Sequence, residues 1–156
     1  MSDSIVIRPA VEGDCDFIIG LVTSLLEFGS PAWEDKDALA PGFSEALARA
    51  VRPQDLRSAV LIAERRDGTR LGFISLKVVE DVTGVERAHV ADLAATDAAR
   101  RAGVGMALMN AAEQWARDRG LPVLSLDVWS ANERAQAFYE RLGYRSESLH
   151  LIKTLR

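Results

Sequence analysis

Residues 92–105 read DLAATDAARRAGVG, and this stretch decides the fold that we predict for the chain. Its first residues end a strand-like segment, and its middle is a short polar loop. Its two glycines stand where a helix of about four turns begins, because an apolar-periodic run follows over residues 106–119. The sequence therefore predicts a strand, a loop and a helix in series.

The start of this helix has the properties of an anion-binding site. The first turn of a helix leaves backbone N–H groups without partners and carries a partial positive charge, which stabilises phosphate oxygens. Gly103 and Gly105 lack a Cβ atom, so an anion can approach the backbone closely. Arg100 and Arg101 add positive charge at the same place. An ordinary helix start with solvated arginines would show the same short pattern, so the rest of the chain has to decide.

Four segments of the chain together resemble the GNAT superfamily of N-acetyltransferases. Residues 100–105 (RRAGVG) resemble the Gln/Arg-x-x-Gly-x-Gly/Ala loop with which that family binds the pyrophosphate of acetyl-CoA. In the family's order and spacing, residues 5–10 resemble its first strand, residues 132–144 its second CoA motif, and residues 149–155 its closing strand. The resemblance implies direct acetyl transfer from acetyl-CoA to a primary amine, either a small cationic amine or a peptide N-terminus.

Local patterns predict the elements around this stretch. A strand at residues 5–7 precedes a helix that Asp14 could cap and that ends near Gly29. Strands at residues 60–64 and 71–79 are joined by the turn at Asp67 and Gly68, and a third strand covers residues 87–95. A weaker helical pattern covers residues 33–51.

The second half of the chain completes the predicted fold. A buried strand is expected at residues 123–129, followed by a helix with a capping box from Ser130 to Glu133 and a terminal hairpin of residues 144–146 and 149–155. We therefore predict an α/β fold (α+β in some schemes) in a single acetyltransferase domain, residues 1–156. Its mixed, mostly antiparallel sheet would have about six to seven strands and about four flanking helices, as the resemblance implies.

The amino-acid composition limits the classes of protein to which the chain can belong. The chain has 156 residues, of which 48% are hydrophobic and 27% charged, as in a soluble globular domain. It shows no apolar run of transmembrane length and no leader pattern, so we expect a cytoplasmic protein without a membrane partner. One cysteine, Cys15, and two histidines, His89 and His150, argue against a disulfide and against a metal cofactor. A net charge of -4 argues against nucleic acid as the main binding partner and suits a cationic substrate. A homodimer is left open.

The resemblance also implies which residues bind CoA. In the family the pantetheine arm pairs with the backbone of the strand that precedes the loop, and the small side chains here would leave room for it. The implied CoA-binding set is Leu93, Ala94, Ala95, Arg100, Arg101, Ala102, Gly103, Val104, Gly105 and Asn132. Capping of the following helix would explain Asn132 equally well.

Tyr139 is the candidate general acid. It matches the family's tyrosine near the thioester sulfur, where a phenol with a pKa of about 10 can protonate the departing thiolate. A tyrosine half-buried beside Phe138 would be the ordinary structural interpretation. We favour the catalytic role because Asn132, Ala135 and Gly143 are in register around it.

The general base is not identified by the resemblance. Some relatives have a glutamate directly before the Asp-Leu pair, where this chain has Ala91. Asp92 is the nearest carboxylate, but strand alternation would point it to the face opposite position 91. His89 would share the face of position 91, and its usual pKa near 6.5 suits base catalysis. Glu86 could act through a water molecule.

One further sequence pattern concerns binding of the acceptor amine. Between residues 27 and 45 the chain has five acidic side chains and a single basic one, Lys36; the acidic residues are Glu27, Glu34, Asp35, Asp37 and Glu45. They could attract an amine cation, or they could simply form a solvated helix face.

Two other functions compete with acetyl transfer. A dinucleotide-binding module would explain Gly103 and Gly105 at a helix start with Asp127 about twenty residues later, but Leu108 stands where the third glycine is expected. A non-catalytic acyl-CoA sensor on the same fold would explain the missing glutamate.

Overall fold

A computed structural model describes residues 4–29, 51 and 56–155, with the backbone alone for residues 24–29. The described residues contain five strands and three helices. One-turn 3₁₀ helices, Glu12–Asp14 and Asp97–Ala99, precede the first two helices. None of the described helices is long and apolar enough to cross a bilayer. In chain order the elements are β1 (Ile5–Pro9), α1 (Cys15–Gly29), β2 (Ser58–Arg65), β3 (Arg70–Glu80), β4 (Glu86–Ala95), α2 (Val104–Asp118), β5 (Leu124–Leu126) and α3 (Glu133–Arg141).

The strands form one mixed sheet in the order β1-β2-β3-β4-β5. The first four strands pair antiparallel, and β5 pairs parallel with β4. Gly68 and Gly84 lie in the turns that join β2 to β3 and β3 to β4, and their φ angles of 88° and 80° favour glycine. The mixed α/β fold is therefore confirmed, and so are the hairpin at Gly68 and the strand that precedes the loop at residues 96–103.

Both faces of the sheet are covered. On one face α2 buries Leu108 and Met109 against Ile74 and Leu76 of β3, and α3 packs beside this core. On the other face Ile18 of α1 packs with β2 and β3 in a smaller core. Full burial of one such aliphatic side chain stabilises the fold by about 1.5–3 kcal/mol, so these contacts fix the sheet between its helices.

Asp14 is buried and connects β1 to the start of β3. Its carboxylate accepts hydrogen bonds from Arg8 at 2.8 and 3.0 Å, from Arg70 at 2.6 Å and from the backbone of Val11 at 2.8 Å. These donors hold the pKa of Asp14 well below its usual range, with the Arg8 hydrogen bonds as the largest cause. The expectation that Asp14 caps the first helix is wrong, because its oxygens are already occupied.

Three predictions about the C-terminal half of the chain need correction. The predicted terminal hairpin is wrong, since residues 145–155 form neither strand nor helix, so the described residues contain five strands instead of six or seven. The strand predicted at residues 123–129 is limited to Leu124–Leu126 and is half-buried. The last helix begins after Asn132, whose side chain accepts a hydrogen bond from Ala135 N at 3.1 Å, so Ser130 is not its cap.

Two further expectations lie outside the described residues. The helical pattern at residues 33–51 is one of them. The acidic side chains at positions 27, 34, 35, 37 and 45 are the other.

Candidate active site

The start of α2 has the form of an anion cradle. Gly103 precedes the helix with φ 80° and ψ 16°, a left-handed conformation that glycine adopts without strain. The first helical bond runs from Ala107 N to Gly103 O at 3.0 Å, and in the described part of the chain the N–H groups of residues 103–106 have no acceptor. Arg100 is partly exposed and pairs with Asp97 at 3.2 Å. The cradle therefore presents unsatisfied N–H groups and positive charge to solvent.

Gly105 has a second reason to lack a side chain. A Cβ atom at this position would lie 3.1 Å from the ring of Phe138. The first turn of α2 and the middle of α3 are thus in close contact. This contact holds Tyr139, the next residue of α3, near the cradle.

Beyond the cradle, one edge of β4 has no neighbouring strand. β5 pairs with β4 only at Ala88, His89 and Val90, whereas β3 pairs with β4 through Ala95. From Ala91 onward the second edge of β4 is therefore unpaired among the described residues. Leu93, Ala94 and Ala95 lie on this stretch, and its backbone N–H and C=O groups can accept an extended amide-containing chain.

Gly72 of β3 supports this part of the site, and the sequence analysis did not identify it. A Cβ atom at Gly72 would lie 2.5 Å from the carbonyl oxygen of Ala94 and 3.2 Å from Val104. β3 therefore approaches the end of β4 and the start of α2 too closely for any other residue. A lone glycine in a strand was the available signal, since it often marks a close backbone approach.

A β-bulge in β4 changes the direction of two candidate residues. Ser75 pairs with Asp92 and Leu76 pairs with Val90, so Ala91 is an extra residue in β4. The strand alternation that separates Asp92 from the face of His89 is interrupted there. Both side chains consequently lie on the α1 face of the sheet, and the expectation that Asp92 points away is wrong.

Both ring nitrogens of His89 have polar neighbours. Its Nδ1 lies 2.9 Å from the hydroxyl of Ser125, which itself donates to the carbonyl oxygen of Ala88 at 3.3 Å. A hydroxyl that donates to Ala88 can accept from Nδ1–H, and in that tautomer Nε2 carries the lone pair. Nε2 faces the exposed carboxylate of Asp127 at 3.5 Å. Burial lowers the pKa of His89 below its usual value, so the ring is neutral at pH 7.

Asp92 is a second candidate base on this face of the sheet. Burial raises the pKa of its carboxyl, and the hydrogen bond from Ser75 Oγ at 2.9 Å partly opposes that effect. Exposed Lys77 is the residue that pairs with His89 across β3 and β4, and its charge acts on both groups. The α1 face of the site thus combines an imidazole, two carboxylates and an ammonium group.

Tyr139 lies on the other face of the sheet, with α2 and α3. Its ring packs edge-on against Phe138 and Tyr144, with centroid distances of 5.1 and 5.9 Å. Burial raises the pKa of its phenol to about 12, so the hydroxyl is protonated at neutral pH. Within the described residues this hydroxyl has no hydrogen-bond partner.

The structure thus groups the candidate residues in two sets. His89 and Asp92 share the α1 face, together with Ser75, Ser125 and Asp127, which were not candidates for the base. Tyr139 and the cradle share the α2 face, while Asn132 caps α3 with its side chain. The unpaired edge of β4 lies between the two sets.

Comparison with known proteins agrees with this geometry. The family model described as Acetyltransferase (GNAT) family matches residues 21–144. An aminoglycoside N(6')-acetyltransferase type 1 from Klebsiella aerogenes is 30% identical over 147 residues, which is 92% of this chain and 91% of that protein.

Solved structures show the same fold. A protein from Pyrococcus furiosus whose proposed activity is acetyl transfer has a TM-score of 0.78 and 25% identity, over 97% of this chain and 100% of that one. AAC(6')-Iy in complex with the bisubstrate analogue CoA-S-monomethyl-acetylneamine has a TM-score of 0.73 and 20% identity, over 98% of this chain and 99% of that one.

Proposed function

Because the chain belongs to the GNAT acetyltransferase family and is an acyltransferase, we propose that it transfers the acetyl group of acetyl-CoA to the primary amine of a small cationic acceptor. The observation that carries the proposal is the continuity between the unpaired edge of β4 and the N–H groups at the start of α2. Together they offer an amide-pairing edge that leads to a phosphate-binding helix start, which are the two features that CoA requires.

In this proposal acetyl-CoA is bound mainly by backbone groups of the protein and less by side chains. We assign the pyrophosphate to the free N–H groups of residues 103–106, with Arg100 and Arg101 beside them, and the pantetheine amides to Leu93, Ala94 and Ala95. A dinucleotide would need a third glycine at the helix start, where the chain has buried Leu108. Membership of the family removes that alternative.

His89 is the base that we propose for the attacking amine. The amine must lose a proton as its nitrogen forms a bond to the thioester carbonyl carbon. In the tautomer in which Nδ1–H donates to Ser125, Nε2 has the free lone pair that accepts this proton. Once Nε2 has accepted the proton, the carboxylate of Asp127 stabilises the imidazolium. Asp92, whose carboxylate is held by the hydrogen bond from Ser75, is assigned to binding of the acceptor.

Tyr139 is the acid that we propose for the leaving group. When the carbon–sulfur bond breaks, the thiolate takes the phenolic proton, and the tyrosine recovers it from solvent. Two properties support this role: the hydroxyl has no hydrogen-bond partner within the described residues, so it can donate to the sulfur, and a pKa of about 12 keeps it protonated at neutral pH.

A cationic acceptor is supported by the charge on the α1 face and by one relative. The side chain of Asp127 is 97% exposed beside His89, where it can attract an ammonium group without desolvation. The Klebsiella relative is named for acetylation of aminoglycosides, which are polycationic amines. A peptide N-terminus is the second acceptor class to be examined.

The test is release of free thiol from acetyl-CoA with a panel of aminoglycosides, polyamines, amino acids and peptides with free N-termini. We expect turnover with at least one polycationic amine. The KM for that amine should rise as salt is added, since screening reduces its attraction to the acidic side chains. Acetyl-CoA binding without turnover for any amine would instead favour an acyl-CoA sensor.

The donor assignment has its own test. Ala102→Asp places a carboxylate beside the proposed phosphate site at an exposed position, and we expect at least tenfold weaker CoA binding by calorimetry. Val82→Asp is the matched control, because Val82 is fully exposed in the turn at the opposite end of β4. Equal affinities of the two variants would refute the assignment.

A further inference from the structure

Lys77 of β3 lies directly across from His89 of β4. The two residues pair in the antiparallel register of these strands. Residues that face each other in such a pair project from the same side of the sheet, with Cβ atoms about 4.5–5.5 Å apart. The side chain of Lys77 is exposed, so its ammonium group can lie close to the imidazole. A positive charge is therefore built into the α1 face of the sheet beside the proposed base.

The charge of Lys77 is not cancelled by an ion pair. Within the described residues its ammonium group has no carboxylate within 4.0 Å and no hydrogen-bond partner. Arg8, Arg70 and Arg87 also lie on strands of the sheet, and each of them pairs with a carboxylate at 3.2 Å or less. Lys77 is thus a basic side chain of the sheet whose charge remains available to act on its neighbours.

Charged side chains act on the His89 ring from several strands; they are Lys77, Arg87, Asp92 and Asp127. None of the four lies on α1, the helix that covers this face. Burial is the largest cause of the lowered pKa of the ring, the two cations lower this pKa further, and the two carboxylates raise it. Arg87 already forms ion pairs with two other carboxylates. Lys77 is therefore the cation of this set whose charge is directed to the ring and not to a partner of its own.

We propose that Lys77 is a positioning residue for the acetyl transfer, because its ammonium group keeps the imidazole of His89 in the form that accepts the proton of the acceptor amine. The inference rests on the proposed function, in which His89 is the base. A neighbouring positive charge disfavours a second one on the ring, so the ring stays unprotonated. The same repulsion makes the ring a weaker base, so the benefit is confined to acidic pH, where an unassisted imidazole would be protonated.

Binding of a cationic acceptor strengthens this effect. The carboxylate of Asp127 lies 3.5 Å from Nε2 of His89 and favours a proton there. An ammonium group of the acceptor that binds to Asp127 cancels this attraction, whereas the charge of Lys77 persists. His89 should therefore be harder to protonate in the acceptor complex than in the free enzyme.

An NMR titration of the histidine rings tests the proposal without an acceptor. The chain has two histidines, His89 and exposed His150, so the second is an internal reference. We expect the pKa of His89 to rise in Lys77→Gln, to rise further in Lys77→Glu and to stay at the wild-type value in Lys77→Arg, which keeps the charge. Lys153→Gln is the matched control, because it removes the same charge from the exposed tail and should leave His89 unchanged. An unchanged His89 titration in both Lys77→Gln and Lys77→Glu would overturn the proposal.

The pH profile of kcat/KM separates this role from a structural one. With the aminoglycoside or polyamine that is turned over fastest, the acidic limb should move to higher pH in Lys77→Gln, and Lys77→Arg should restore it. At the midpoint of the wild-type limb, kcat/KM relative to its own plateau should fall about twofold. A limb that stays in place in Lys77→Gln while His89→Gln removes it would overturn the role of Lys77 alone. If His89→Gln leaves the profile unchanged, the assignment of the base fails, and this inference fails with it.

Discussion

Replacing Tyr139 by phenylalanine separates a catalytic hydroxyl from a structural one. The ring would keep its edge-on contacts with Phe138 and Tyr144. The removed hydroxyl has no hydrogen-bond partner within the described residues, so its loss leaves no buried acceptor unpaired. We therefore expect the free energy of unfolding to change by less than about 0.5 kcal/mol.

The expected effect on catalysis is much larger. A positioned general acid contributes about 10²- to 10⁴-fold, and we expect the lower end, a fall in kcat of about 10²-fold, or about 2.7 kcal/mol of transition-state stabilisation. KM for acetyl-CoA should stay nearly constant, because the hydroxyl acts only as the carbon–sulfur bond breaks. Since the pKa of Tyr139 is raised to about 12, the wild type should keep this contribution across the alkaline range up to about pH 11.

The assay is a pair of steady-state titrations at several pH values, with thermal unfolding recorded for each variant. Tyr144→Phe is the matched control: it loses the hydrogen bond to Glu113, which costs stability of about 1 kcal/mol, but it should leave kcat unchanged. A kcat for Tyr139→Phe within threefold of the wild type at every pH would refute the role of Tyr139. So would a loss of stability as large as that of Tyr144→Phe.

Three further predictions concern other parts of the structure. His89→Gln should lower kcat by about 10²-fold and remove the acidic limb of the kcat/KM profile, which should lie below pH 6.5 because burial lowers the pKa of His89; an unchanged profile would exclude it as the base. Asp14→Asn should destabilise the fold by about 3 kcal/mol in chemical unfolding at pH 7, with exposed Asp16→Asn as control. Because the pKa of Asp14 is depressed, its contribution is present above about pH 4 and is lost as pH falls, so the two proteins should converge in acid. Gly72→Ala should cost about 2 kcal/mol and weaken CoA binding, whereas Gly20→Ala, with open space in α1, should stabilise; the same sign for both would contradict the packing argument.

The parts of the fold that the sequence predicts well are those with local causes. The hairpin at Gly68, the strand before the cradle and the left-handed Gly103 each follow from a few neighbouring residues. The loop that we propose to bind CoA is recognisable for the same reason, since its glycines and arginines lie within six consecutive residues.

The parts that it does not predict depend on pairing between distant residues. The bulge at Ala91 exists because β3 and β4 pair in a particular register, and this register turns Asp92 toward the face of His89. Asp14 was expected to cap a helix, but Arg70, which lies 56 positions later, binds its carboxylate instead. The contact between His89 and Ser125 likewise spans two strands, and no local pattern marks it.

The brief parallel pairing of β4 with β5 also has a kinetic consequence. The antiparallel strands β1 to β4 include two short turns, whereas β5 can join only after α2 has formed and closed a loop of more than thirty residues. Non-local pairings of this kind form late in folding and open first in the native state. With only three residue pairs, β5 should therefore exchange its amide protons faster than β3. We therefore expect β5, which lies beside the unpaired edge of β4, to be the least protected strand among those described, and bound acetyl-CoA to slow its opening.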